Sequence, residues 1–138
     1  MRLYHYTAQH HVDGGAGHPG PGILCSGLLP NIHPYIDLIG GMVWLTDSKE
    51  WSQSWSARDV PVPGFGPCNR TEARVEVVIP KADRFRLKPW REVRWRVLTD
   101  GLRRDLEAYG DPEHWYVYVG RIPSAWVRGV ESRPAVVA

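Results

Sequence analysis

Between Thr71 and Ile79 apolar and polar positions alternate. Ala73, Val75, Val77 and Ile79 share one face and Glu72, Arg74, Glu76 and Val78 the other, which predicts a strand that Pro80 ends. Arg2 to Thr7 is rich in β-formers and predicts an opening strand, after which Ala8 to Asp13 starts a helix capped by Thr7. The dense Gly/Pro run from Gly14 to Gly22 is hostile to regular structure and reads as a loop. Ile23 to Leu29 then gives a short helical segment, with Gly27 as its C-terminal cap and Pro30 preventing continuation.

Asn31 to Gly41 reads as a loop leading to Met42-Val43-Trp44-Leu45-Thr46, a short buried strand bounded by Gly40-Gly41 and Asp47-Ser48. A helix from Ser48 to Ala57 follows, with Trp51 and Trp55 four apart on one face. Val60 to Asn69 carries three Pro and two Gly and reads as a loop long enough to serve as a lid or acceptor-binding element. Thr99 to Tyr109 has Leu102, Leu106 and Tyr109 at helical spacing before Gly110-Asp111-Pro112 breaks it. Glu113 to Val119 is the strongest strand signal, Trp126 to Glu131 a last short strand, and 132–138 a loose tail. Interspersed short strands and helices without internal repeats give an α+β fold.

At 138 residues and 43% apolar, the chain builds one sizeable core and falls short of two, so residues 1–138 are expected to form a single domain. Seven Trp are more than such a core needs, which directs attention to a cavity or binding surface lined by indoles. Charge changes the picture little: 17 basic against 15 acidic side chains leave +2, without the bias that would draw the chain onto nucleic acid or anionic lipid. Cys25 and Cys68 lack a disulfide or zinc spacing, which fits a reducing, cytoplasmic setting. No apolar run approaches the roughly 20 residues of a membrane span. His10, His11, His18 and His33 are too loosely arranged to predict a metal site, so none is expected. Gly14 to Gly22 lacks the Lys-Ser/Thr ending of a phosphate loop.

Each aromatic segment alone reads as core. Together and in order, three of them are more specific: His5-Tyr6-Thr7 closing the first strand, Val43-Trp44-Leu45-Thr46 followed by Trp51 and Trp55, and Glu113 opening a late aromatic strand. The series, spread over Leu3 to Val130, resembles the three motifs of the His-Tyr-Glu ADP-ribosyltransferases. Diphtheria-toxin-like toxins, poly(ADP-ribose) polymerases and NAD-dependent RNA 2′-phosphotransferases share that plan.

The resemblance implies an ADP-ribosyltransferase-like split antiparallel β-sandwich with peripheral helices, and NAD as co-substrate held between two small sheets. It implies that His5 contacts the adenine-side ribose, that Thr7 supports it, and that the backbone at Tyr6 holds the nicotinamide carboxamide where the family usually has Gly. Trp44, with Trp51 or Trp55, would stack on nicotinamide in place of the usual Tyr, with Thr46 completing the second motif. Stacking of a cationic pyridinium on an indole is worth about 0.5–2 kcal/mol. Glu113, with His5, would be the catalytic pair: a carboxylate at the ribose 2′-hydroxyl stabilises the positive charge that grows as nicotinamide departs. His114 is a neighbouring polar group that could substitute for it. Arg2 and Arg74 are candidates for phosphate contacts.

The activity implied is NAD-dependent mono-ADP-ribosylation of a macromolecular acceptor, protein or nucleic acid, in a small toxin-like effector. That setting leaves room for an antitoxin or regulator as partner and calls for no membrane. Two other readings stay open: NAD-dependent RNA 2′-phosphotransfer, and a non-catalytic module binding a nucleotide or protein through its Trp-rich face.

Overall fold

A computed structural model describes residues 1–7, 12, 22–31, 35–51, 59–62, 66–69, 73–108 and 110–133. The strands are β1 (Arg2–Thr7), β2 (Met42–Thr46), β3 (Asp59–Val62), β4 (Gly66–Asn69), β5 (Ala73–Val78), β6 (Leu87–Pro89), β7 (Trp115–Val119) and β8 (Val127–Ser132). The helices are α1 (Ile23–Ser26), α2 (Trp90–Val93) and α3 (Asp100–Glu107), joined by short 3₁₀ turns. Six strands form one antiparallel sheet in the order β6-β7-β2-β1-β5-β8, and β3 pairs with β4. The α+β class is therefore as expected.

The alternation of β5 extends across the sheet. Leu3, His5 and Thr7 stand opposite Val77, Val75 and Ala73, and this face packs with Val43, Leu45, Tyr118, Leu28 and Ile122 into one core cluster. Met42, Trp115 and Val117 project to the other face, where α2, α3 and the preceding loop supply Trp90, Val93, Val97, Leu106 and Ile36. Strand β7 is apolar on both faces because it is covered on both, which is why it gives so strong a strand signal.

The sheet is not evenly zipped. Strand β1 pairs with β5 from Arg2↔Val78 to Thr7↔Ala73, and β2 pairs with β7 from Met42↔Val119 to Thr46↔Trp115. Between β1 and β2, among the described residues, register is kept only at Tyr4↔Thr46. The centre of the sheet is thus a seam, with β6-β7-β2 on one side and β1-β5-β8 on the other.

Several local expectations need correction. Residues 48–50 have no regular structure and 51 begins a turn, where the sequence predicts a helix, with Ser48 N–H donating to Thr46 Oγ1 at 3.1 Å and Glu50 N–H to Ser48 Oγ at 3.2 Å. Their side-chain caps satisfy the backbone without a helix. The rest of that predicted helix, including Trp55, lies outside the described residues, as do the Gly14–Pro21 stretch, Tyr109, and His10, His11, His18 and His33. The stretch read as a loop at 60–69 contains the β3-β4 ladder, with Pro61 opposite Pro67. Strand β7 starts at Trp115 and not at Glu113, because Pro112 opens a 3₁₀ turn, Pro112–His114. Ser132, placed in the tail by sequence, ends β8.

Helix α3 begins where Thr99 Oγ1 accepts from Leu102 N–H at 3.2 Å and buries Leu106 against α2 and β7. Its last residue, Glu107, accepts from Arg94 Nε at 2.7 Å, from Arg94 Nη2 at 2.9 Å and from the indole N–H of Trp90 at 3.1 Å. Trp90 is 1% exposed, so Glu107 satisfies a donor that water cannot reach. The Arg94 hydrogen bonds hold the Glu107 carboxyl below its ordinary range against the opposing effect of burial. A carboxyl with a lowered folded pKa contributes stability above its unfolded pKa and loses it as pH falls through the folded one. Glu107→Ala is accordingly expected to cost about 1.5–3 kcal/mol in urea unfolding near neutral pH. The deficit should shrink as the wild type is acidified.

Candidate functional site

The three motif segments are far apart in the chain, and the fold makes them neighbours: β7, β2 and β1 are consecutive strands at the centre of the sheet. His5, half-buried on β1, donates from Nδ1 to the carbonyl of Trp44 on β2 at 2.8 Å. This bond spans the seam just past the level where β1 and β2 keep register. It ties the first motif to the second and orients the imidazole.

Because side chains alternate along β1, Tyr6 points to the face opposite His5 and Thr7. Its hydroxyl donates to the Ser48 carbonyl at 3.0 Å, its ring meets Trp51 edge-on with centroids 5.3 Å apart, and burial raises its pKa. The Tyr6 ring therefore lies on the face of the sheet that carries Trp51 and, by register, Trp44 and Thr46. Thr7 and Thr46 are both buried, and the Thr46 hydroxyl anchors the turn at Ser48.

Trp44 and Trp51 occupy different environments. The Trp44 ring belongs to an indole cluster, 5.0 Å from Trp90 and 6.0 Å from Trp115. Trp51 lies over the β1-β5 half, against Tyr6 and the Arg74 guanidinium, which sits 4.8 Å from the Trp51 ring and 5.3 Å from that of Tyr4.

Arg74, a candidate for phosphate contacts, is a structural hub: its side chain is 12% exposed. It donates to the Lys49 carbonyl at 2.7 Å, pairs with Glu131 on β8 and hydrogen-bonds the Tyr6 hydroxyl. Those bonds pin residues 48–51 across the sheet, and with it Trp51. Replacement by Met is expected to cost about 1–3 kcal/mol. Faster amide exchange at Glu50 and Trp51 than elsewhere would locate the loss. Arg2, by contrast, has a side chain 71% exposed, with Glu76 at 3.3 Å.

Glu113 is exposed in the Pro112–His114 turn at the entrance of β7. Register fixes where that turn sits. Thr46 stands opposite Trp115, and Asp47 N–H donates to the His114 carbonyl at 3.1 Å, so Glu113 lies at the C-terminal end of β2. Trp44 stands opposite Val117, two residues or roughly 7 Å along β7 from Trp115, and Glu113 lies two residues earlier in the turn. The fold therefore joins the His5 imidazole to the Trp44 backbone, with the Trp44 ring on the opposite face of the sheet, and brings Glu113 to the same central strands through the β2-β7 ladder.

Sequence reasoning missed a polar cluster at this end of β2. His114 Nδ1 lies 2.6 Å from Asp47 Oδ1 and its Nε2 lies 3.4 Å from Asp111 Oδ2. The Asp47 hydrogen bond is the main cause of a His114 pKa above the ordinary imidazole value. Tyr116 also hydrogen-bonds Asp47, and its pKa is raised, chiefly by burial. Asp47 reads in the sequence only as a turn residue after a strand, and nothing local announces a partner 67 positions away.

Among the described residues no group of His, Cys, Asp and Glu is arranged to hold a metal, and no helix is long and apolar enough to cross a membrane. Comparison with protein-family models, curated proteins and solved structures returned no match.

Proposed function

We propose that this chain is an NAD-dependent mono-ADP-ribosyltransferase on an ADP-ribosyltransferase-like split sheet, using NAD as co-substrate and a protein or nucleic acid as acceptor. The observation that carries the proposal is the adjacency of β1, β2 and β7, with His5 bonded to Trp44 across the seam and Glu113 at the far end of β2.

In the reaction the C1′–N bond of the nicotinamide riboside breaks and nicotinamide takes the bonding pair. Positive charge develops on C1′ and the ring oxygen, and an acceptor oxygen or nitrogen then attacks C1′ and loses its proton. Glu113, at the ribose 2′-hydroxyl, stabilises that charge and orients the sugar. The backbone at Tyr6 holds the carboxamide, His5 and Thr7 face the ribose side, and Trp44, Thr46 and Trp51 line the nicotinamide site. Arg2 is the more available cation for the pyrophosphate, since Arg74 is already engaged by Glu131 and the Lys49 carbonyl.

One observation favours a second reading. The Trp44 ring is packed on Trp90 and Trp115, as a purely structural indole would be, which fits a non-catalytic module binding through its Trp-rich face. RNA 2′-phosphotransfer has less support, because Arg2 and Arg74 each already have a carboxylate partner. Incubation with labelled NAD and lysate separates these. Transferase activity gives labelled macromolecule and free nicotinamide, a binding module gives neither, and phosphotransfer needs a 2′-phosphorylated oligonucleotide.

A further inference from the structure

We propose that His114 is a positioning residue for Glu113: held between Asp47 and Asp111, its imidazolium locks the Pro112–His114 turn onto the end of β2 and fixes where the neighbouring carboxylate stands. This rests on the ADP-ribosyltransferase reading and adds a residue to its machinery.

The geometry is that of a clamp. Glu113 is exposed on a three-residue turn, and a carboxylate so placed has no packing of its own to hold it. One residue on, the imidazole points Nδ1 at Asp47, 2.6 Å away, and Nε2 at Asp111, 3.4 Å away. Asp47 closes the loop by donating its backbone N–H to the His114 carbonyl at 3.1 Å, while the His114 N–H bonds the Asp111 carbonyl at 3.0 Å. Nδ1 hydrogen-bonds Asp47 and Nε2 faces the Asp111 carboxylate at ion-pair distance, so both contacts are attractive together only when the ring carries two protons. The catalytic carboxylate is thereby tied to the strand that bears Trp44 and Thr46. Pre-organisation of this kind is what a charge developing at one sugar carbon requires.

The clamp depends on protonation. Asp47, Asp111 and Glu113 all favour the imidazolium, and its pKa is raised accordingly. Tyr116 of β7 reaches the same Asp47. Helix α2 packs against the turn and brings the exposed Arg91 and Glu92, of opposite sign. A group with a raised folded pKa makes its contribution below the unfolded value and loses it as pH rises through the folded one. Turnover should therefore decline on the alkaline side as His114 gives up its second proton.

The test measures nicotinamide release from NAD against pH for the wild type, His114→Gln and Asp47→Asn, beside an NMR titration of the histidine rings. The wild type should lose kcat on the alkaline side at the pH where His114 titrates, above the midpoint of an unperturbed imidazole, with KM little changed. His114→Gln should be slower by about tenfold or more and lack that limb. Asp47→Asn should move both limb and NMR midpoint to lower pH. If either variant fails to fold, Asp111→Asn, at an exposed contact, should make the same shift more weakly. A limb that survives unmoved in His114→Gln, or a His114 midpoint at or below the unperturbed value, overturns the positioning role alone. A wild type that releases no nicotinamide at any pH overturns the transferase reading and the positioning role together.

Discussion

Glu113→Gln is expected to reduce nicotinamide release from NAD by about 100-fold or more while leaving thermal unfolding unchanged. On the proposed reading, glutamine would preserve the shape of the side chain and a hydrogen bond to the ribose 2′-hydroxyl but remove the negative charge that opposes the developing cation. The protein should not notice otherwise. Glu113 is exposed, and its turn is held by backbone bonds of His114 to Asp111 and Asp47. A surface substitution of this kind normally changes stability by less than about 0.5 kcal/mol. Loss of activity with an intact fold separates chemistry from architecture, and unchanged release would remove Glu113 from the reaction.

The largest structural effect is expected at Gly27. This residue caps α1 with φ +75°, its N–H bonding the Ile23 carbonyl at 2.8 Å. An added Cβ would stand 2.1 Å from the Ile122 carbonyl oxygen and 2.8 Å from the Ser124 nitrogen, both backbone atoms that cannot swing aside. The neighbouring Leu28 exchanges backbone hydrogen bonds with Ile122 at 2.8 and 2.9 Å, so moving away would break that bridge. Gly27→Ala combines left-handed strain with this collision and should cost roughly 3 kcal/mol or more. A drop in melting temperature of about 10 °C or more would register it. A melting temperature within a degree or two of wild type would mean that the chain near Gly27 yields easily.

The strands that matter most for the site were legible because each carries its own signal. Arg2 to Thr7, Met42 to Thr46 and the alternation around Val75 are observed within two residues of their expected ends. Gly27 announces a cap and Thr99 a helix start, and both are observed. Strand β6 was invisible because Leu87-Lys88-Pro89 is three residues long and ends in Pro, so only its pairing with β7 makes it a strand. No periodicity marked α2, a single turn stabilised by the burial of Trp90 and by Glu107 from another helix. At the site, the convergence of the motif segments was an implication of the resemblance alone, and their side-chain partners had no signal at all. That Trp44 would pack against Trp90, that Arg74 would bind Glu131 and that His114 would face Asp47 are facts about pairs 46, 57 and 67 positions apart. No local pattern encodes such pairs.

The most direct measurement is the NMR spectrum of the indole N–H groups during titration with NAD. Saturable shifts at Trp44 and Trp51 are predicted, with Trp95 and Trp126, which stand outside the seam, unmoved, and with free nicotinamide accumulating over time. Indole resonances that stay fixed up to millimolar NAD, or shifts confined to Trp95, would contradict a dinucleotide site between β1 and β2.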